Sequence, residues 1–103
     1  MKEKIESYMG FARKAGALVA GTDACIMSMK KKKVKLLVIA ADAAENSIEK
    51  LKKTATGNGV NFRVFSSKEK LCVYSGMKDK IVFGITDSNF AKIILKEIDF
   101  DVR

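Results

Sequence analysis

Apolar and polar positions change period along this chain, and the changes mark its elements. Ile5, Tyr8, Met9 and Ala12 recur at helical spacing and stop before Gly16, which predicts a first helix over about residues 3–15. Leu18-Val19-Ala20 reads as a short strand. A second helix follows Gly21, with Thr22 or Asp23 as its cap and Ile26 and Met29 facing inward. It ends in Lys30 to Lys33, where cations oppose the negative end of the helix dipole. Val34 to Ala41 is apolar except for Lys35, as expected of a central strand covered on both faces. Asp42 and Glu45 have capping-box spacing and open a third helix with the stripe Ala44, Ile48, Leu51 and Ala55, closed by Gly57-Asn58-Gly59. Phe62 to Phe65 is a strand. Ser66 and Glu69 repeat the capping box and open a short helix through Tyr74 that stops at Gly76. Ile81 to Thr86 is the last strand. Thr86 or Asp87 caps a final helix with Phe90, Ile93, Ile94 and Ile98 inward, and residues 99–103 form a frayed tail.

Strands therefore alternate with helices. This predicts one α/β domain over residues 1–98, a three-layer α/β/α sandwich with a mostly parallel sheet. In such sheets ligands bind beyond the carboxyl ends of the strands. Gly21-Thr22-Asp23 lies there after the first strand, and Ala41 to Ala44 after the second, so the two stretches should meet at one pole. A helix start at such a corner presents unpaired N–H groups and partial positive charge, suited to phosphate or an acceptor-rich base edge.

Composition narrows the chemistry. The 103 residues suffice for a single core, and the net charge of +8 favours a polyanionic partner. Residues 1–86 carry net +9 and residues 87–103 net −1, so the last helix should not face that partner. Five of the six residues from Lys30 to Lys35 are lysine, either a solvated helix end or a phosphate-contacting patch. A nine-residue helix separates them from Gly21 by ~13 Å, towards the other pole. There is no His, so the commonest general base and metal ligand is missing. Ser66, Ser75 and Ser88 have no His to activate them. No glycine-rich nucleotide fingerprint is present. Asp23 and Asp42 could share a cation, but capping explains both better. Cys25 and Cys72 read as buried, reduced thiols. No apolar run is long enough to span a bilayer, and the N-terminus has no signal-peptide core. The expectation is a cytoplasmic, non-catalytic protein with no cofactor, metal or membrane partner.

The residues also carry a resemblance. Phe11-Ala12-Arg13-Lys14-Ala15-Gly16, Leu18-Val19-Ala20-Gly21, the run from Val34 to Asn46, Leu71, and Gly84-Ile85-Thr86-Asp87 with Phe90-Ala91 occur in an order that resembles the ribosomal L-seven-Ae / L-thirty-e family of kink-turn RNA-binding proteins, in its bacterial YlxQ-type branch. The resemblance covers about residues 5–95. It implies a four-stranded mixed sheet whose last strand is antiparallel, which would bring the Gly76 to Lys80 loop to the pole of Gly21. There the family grips a sharply bent RNA: the start of the second helix reads guanines of sheared G·A pairs, and the loop covers an extruded base.

Stronger family members read Gly-Thr-Asn-Glu, two residues, then Lys at this corner. Gly21 and Thr22 match; Asp23, Ala24 and Met27 depart. Asp23 can accept from guanine N1 or N2 but cannot donate to O6 or N7. Met27 removes a cation. By resemblance Met77 covers the extruded base and Lys78 and Lys80 meet phosphate, with Lys30, Lys33 and Lys35 as an outer phosphate contact. The function implied is recognition and stabilisation of bent, structured RNA by a protein that is monomeric when free, with ribosome association as a further implication. The alternatives are a protein-interaction adaptor that keeps the fold without reading RNA and, more remotely, a small-molecule enzyme.

Overall fold

The computed structural model describes residues 4–101. Its elements are α1 (Lys4–Lys14), β1 (Leu18–Ala20), α2 (Thr22–Lys30), β2 (Leu36–Ile39), α3 (Glu45–Gly57), β3 (Asn61–Val64), α4 (Lys68–Ser75), β4 (Val82–Ile85) and α5 (Ser88–Asp101). The strands form one sheet in the order β1-β4-β2-β3. Only β2 and β3 are parallel; β4 runs against both β1 and β2. The sheet is mixed, as the family resemblance implied, and not mostly parallel as the alternation of elements suggested. An unbroken apolar run reports that both faces are covered, not which way the neighbours run. The direction follows from where the chain returns. Ala41 N–H donates to the Ser66 carbonyl and Ala40 N–H to that of Ile81, so the segment between β3 and β4 leaves and re-enters at one edge. β4 must then run backwards.

Alternate side chains of β2 serve two cores. Leu36 and Val38, with Phe83 and Ile85 of β4, pack against Ile5 and Met9 of α1, Leu71 of α4 and Ile94 and Ile98 of α5. Leu37 and Ile39, with Val82, pack against Cys25 and Met29 of α2 and Leu51 and Ala55 of α3. Three helices thus cover one face and two the other. Three expected core positions differ. Ala41 lies beyond the end of β2 and is exposed, Ala44 precedes α3 and is exposed, and Ile93 is exposed while Ala91 is buried.

Helix ends show where local spacing misleads. Neither Asp42 nor Ser66 caps the helix expected of it: Ala44 precedes α3 with no side-chain cap, and Ser67 caps α4 by accepting from Lys70 N–H. Asp87 does cap α5, its Oδ1 accepting from Asn89 and Phe90 N–H. α5 continues through Asp99, whose carboxylate takes two bonds from Arg63 (2.8 and 3.2 Å), where a frayed tail was expected. Glu3, at the expected start of the first helix, and Val102 and Arg103 lie outside the described residues.

α1 ends with Gly16 at φ 73° and its N–H on the Arg13 carbonyl, while Ala17 N–H reaches Ala12. α2 ends the same way, but Lys32 (φ 62°) holds the left-handed position, with Lys32 N–H on Met29 and Lys33 N–H on Ser28. A side chain costs ~1–2 kcal/mol there, and glycine avoids that cost but loses more entropy on folding. Lys32→Gly is therefore expected to stabilise the fold by up to ~1 kcal/mol, raising Tm by ~4–8 °C. A melt that is unchanged or lowered would contradict this reading of the turn.

Candidate functional site

The carboxyl ends of β1, β2 and β3 and the start of β4 share one sheet edge. Gly21 N–H donates to the Val82 carbonyl (3.0 Å), which fixes the start of α2 onto the start of β4. Gly21 has φ 99° and ψ 152°, a region only glycine occupies without strain. It is itself the cap residue, with its carbonyl accepting from Cys25 N–H. Thr22 and Asp23 are therefore the first two residues of α2, not its caps, and no side chain bonds the first-turn N–H groups. Asp23 is exposed, as are Ala24 and Met27 on the outer side of the helix.

Lys80 lies across this corner. A Cβ built on Gly21 would sit 3.5 Å from Lys80 Nζ and 3.6 Å from its Cδ. The expected residues Gly21, Thr22, Asp23 and Lys80 thus come together from segments far apart in the sequence. Lys78 is exposed on the same loop. Met77 is half-buried against the core of the α1, α4 and α5 face, and its N–H donates to Ser75 Oγ. Much of that side chain is therefore occupied in packing. Lys30 to Lys33 and Lys35 are exposed but lie at the other sheet edge, where Lys35 N–H donates to the Ile85 carbonyl.

The expected site omitted a groove of about 500 Å³ beside the corner, lined by Asp42, Lys68, Cys72, Val73, Lys78 and Asp79 among others. Asp42 Oδ1 accepts from Lys68 N–H (2.8 Å), so its carboxylate caps α4 across the sheet edge. Lys68 Nζ stands 3.7 Å from Asp79 Oδ1; both side chains are open to water, where such a pair contributes little. The sequence carried no local signal for this groove because its two walls meet only through the fold. Among the described residues no three His, Cys, Asp or Glu side chains are grouped to hold a metal ion.

The cysteines differ. Cys25 is fully buried, and burial pushes its thiol up to about 12, against a weaker opposing bond from the Gly84 backbone. Cys72 is only half-buried, contrary to expectation, and its Sγ donates to the Lys80 carbonyl. At pH 8 a thiol reagent is expected to modify Cys72 first and Cys25 only on unfolding, because Cys25 is shut away from solvent and burial keeps its thiol protonated. The native Cys25 thiol keeps its proton above the ordinary value of 9.0, so the unfolded state loses protons first. Its contribution to stability is thus complete below pH 9 and falls as pH rises towards 12. Mass spectrometry of the singly labelled native protein distinguishes the two sites.

The structure is thus a small α/β/α domain that carries a glycine-turned helix start and a lysine-bearing loop at one sheet edge. The chain belongs to the Ribosomal protein L7Ae/L30e/S12e/Gadd45 family, whose model matches residues 3–95. It is 34% identical over 92 residues to the RNA-binding protein YlxQ of Enterococcus faecium, spanning 88% of this chain and 87% of that protein. It is 25% identical over 91 residues to the RNA-binding protein YlxQ of Bacillus subtilis (strain 168), spanning 88% and 91%. A Bacillus halodurans protein of unknown function shares the fold at a TM-score of 0.90 and 22% identity, over 95% of this chain and 99% of that one. The Giardia lamblia 15.5kD RNA binding protein does so at 0.76 and 20%, over 97% and 92%.

Proposed function

We propose that this chain is a non-catalytic RNA-binding protein that holds a sharply bent, kink-turn-like RNA at the Gly21 edge. RNA binding without catalysis follows from its family and from relatives named for RNA binding. The bent target is our own reading, and one observation carries it. The start of α2 is free of side-chain caps, has Asp23 exposed beside it, and lies under Lys80.

A regular A-form helix hides its base edges in a deep groove, whereas a kink opens that groove. Asp23 would then accept from N1 or N2 of a guanine in a sheared pair, and the first-turn N–H groups and dipole of α2 would favour an acceptor or phosphate. Lys80 and Lys78 would meet the backbone. The exposed remainder of Met77 would lie against an extruded base, and Ala24 and Met27 would border the RNA on the outer side of α2. Binding selects the bent conformer from an ensemble, so the protein acts as a clamp on RNA shape. The natural target in this reading is a structured or ribosomal RNA in the cytoplasm, met by a free monomer.

A gel shift with a kink-turn and a control whose G·A pairs are disrupted tests this. The unaltered protein is expected to prefer the kink-turn, and Asp23→Ala to narrow the gap between the two RNAs. Equal affinity of the unaltered protein for both would overturn the reading.

A further inference from the structure

The lysine run is not part of the corner, and its surroundings differ in kind. At the sheet edge opposite Gly21, a cleft of about 250 Å³ is lined by Lys32, Lys35, Asn58, Gly59 and Asn61 over buried Val34. A second cleft of about 190 Å³ adjoins it, sharing Lys35 and Asn61 and adding Ser88 and Lys92 from the start of α5, the helix whose net charge had set it apart from a polyanionic partner. None of the residues lining either cleft is acidic, whereas the groove beside Gly21 contains Asp42, Glu69 and Asp79. Asp87, the acidic residue between β4 and α5, spends its Oδ1 on the first N–H groups of α5. Lys30, Lys31 and Lys33 stand exposed around the turn at Lys32. Of these two edges, the one facing away from the candidate base-reading corner thus has the more uniformly cationic clefts.

We propose that this opposite edge is a second RNA-binding surface, which takes the backbone of a separate RNA segment without reading its sequence, so that one protein ties two RNA segments together. The proposal rests on the reading of the Gly21 edge as the first site. Lysines around a cleft meet phosphates, and the Asn58 and Asn61 amides and the Ser88 hydroxyl supply the polar partners that phosphate and 2′-hydroxyl groups need. A lipid surface fits less well. It would call for an exposed apolar side chain to insert, and none of the exposed large apolar residues (Phe11, Met27, Val64, Val73, Ile93, Phe100) lines either cleft. The two edges face opposite ways: Gly21 is bonded at the Val82 end of β4 and Lys35 at the Ile85 end. A segment seated in the lysine clefts therefore approaches from the side opposite the corner.

The test loads the full protein with unlabelled kink-turn RNA and titrates in a labelled plain RNA duplex, following complexes by gel shift. A ternary complex is expected, with duplex affinity falling about 10²-fold between 50 and 200 mM salt for four phosphate contacts. The Lys30→Gln, Lys31→Gln, Lys32→Gln, Lys33→Gln variant should lose the ternary complex yet keep its preference for the kink-turn over the G·A-disrupted control. Retention of that preference also shows that the variant folds. Displacement of the kink-turn by the duplex, or a ternary complex that survives the lysine changes, would overturn the proposal. Binding of the loaded protein to phosphatidylglycerol vesicles without any ternary RNA complex would overturn it in favour of a membrane. Equal binding of kink-turn and control, with duplex binding still abolished in the lysine variant, would sink the corner reading and leave a sequence-blind lysine surface.

Discussion

Gly21→Val should abolish the proposed preference for bent RNA while leaving most of the core in place. The backbone there (φ 99°, ψ 152°) lies where a β-branched residue is strained by ~1–3 kcal/mol, and the new side chain would push into the Lys80 chain beside it. The strain is relieved by rotating the turn, which re-aims the first-turn N–H groups of α2 and moves Lys80 together. Kink-turn affinity is expected to fall by at least ~10-fold, the value of one well-made base contact, and the gap to the disrupted control to close. Circular dichroism and a thermal melt separate this from unfolding. Asp23→Ala removes only an exposed carboxylate and supplies an independent check on the same corner.

The second large effect is on stability. Phe83 is the largest fully buried side chain and sits on β4, between β1 and β2. Phe83→Ala should cost ~3–5 kcal/mol, a large part of the ~5–15 kcal/mol available to a domain of this size. Tm is expected to fall by more than ~12 °C. Because β4 also begins at the candidate site, saturating kink-turn RNA at about 100 times Kd should restore ~2.7 kcal/mol to the variant. A small Tm change would show that the core collapses around the vacancy. A normal loss without any recovery on adding RNA would show instead that RNA binding is not linked to this fold.

Much of the architecture can be read in the chain because period and end signals are local. The Leu36 to Ala40 run, the Ile5–Met9–Ala12 stripe, Gly16, Gly76 and the Asp87 cap all act within a few residues. Strand direction was not readable from the pattern, since the antiparallel course of β4 depends on where the segment after β3 re-enters. Capping boxes misled for a related reason. Asp42 has the right spacing to serve α3, but the fold offers it the bare N–H of Lys68 on another helix. The corner itself was marked by Gly21 because positive φ leaves a chemical trace in the sequence. Its partner Lys80, and the groove of Asp42, Lys68 and Asp79, depend on contacts between distant segments. Met77 was readable as apolar but not as half-engaged by the core.

The bond from Gly21 N–H to the Val82 carbonyl also has a consequence in time. The helix start is synthesised before the strand that holds it. A chain emerging from the ribosome cannot assemble this edge until β4 has left the exit tunnel, because domains fold as units. The proposed competence for bent RNA would therefore switch on only once Val82 has been made and released, and an arrested chain lacking residues beyond Ile81 should show charge-driven binding alone.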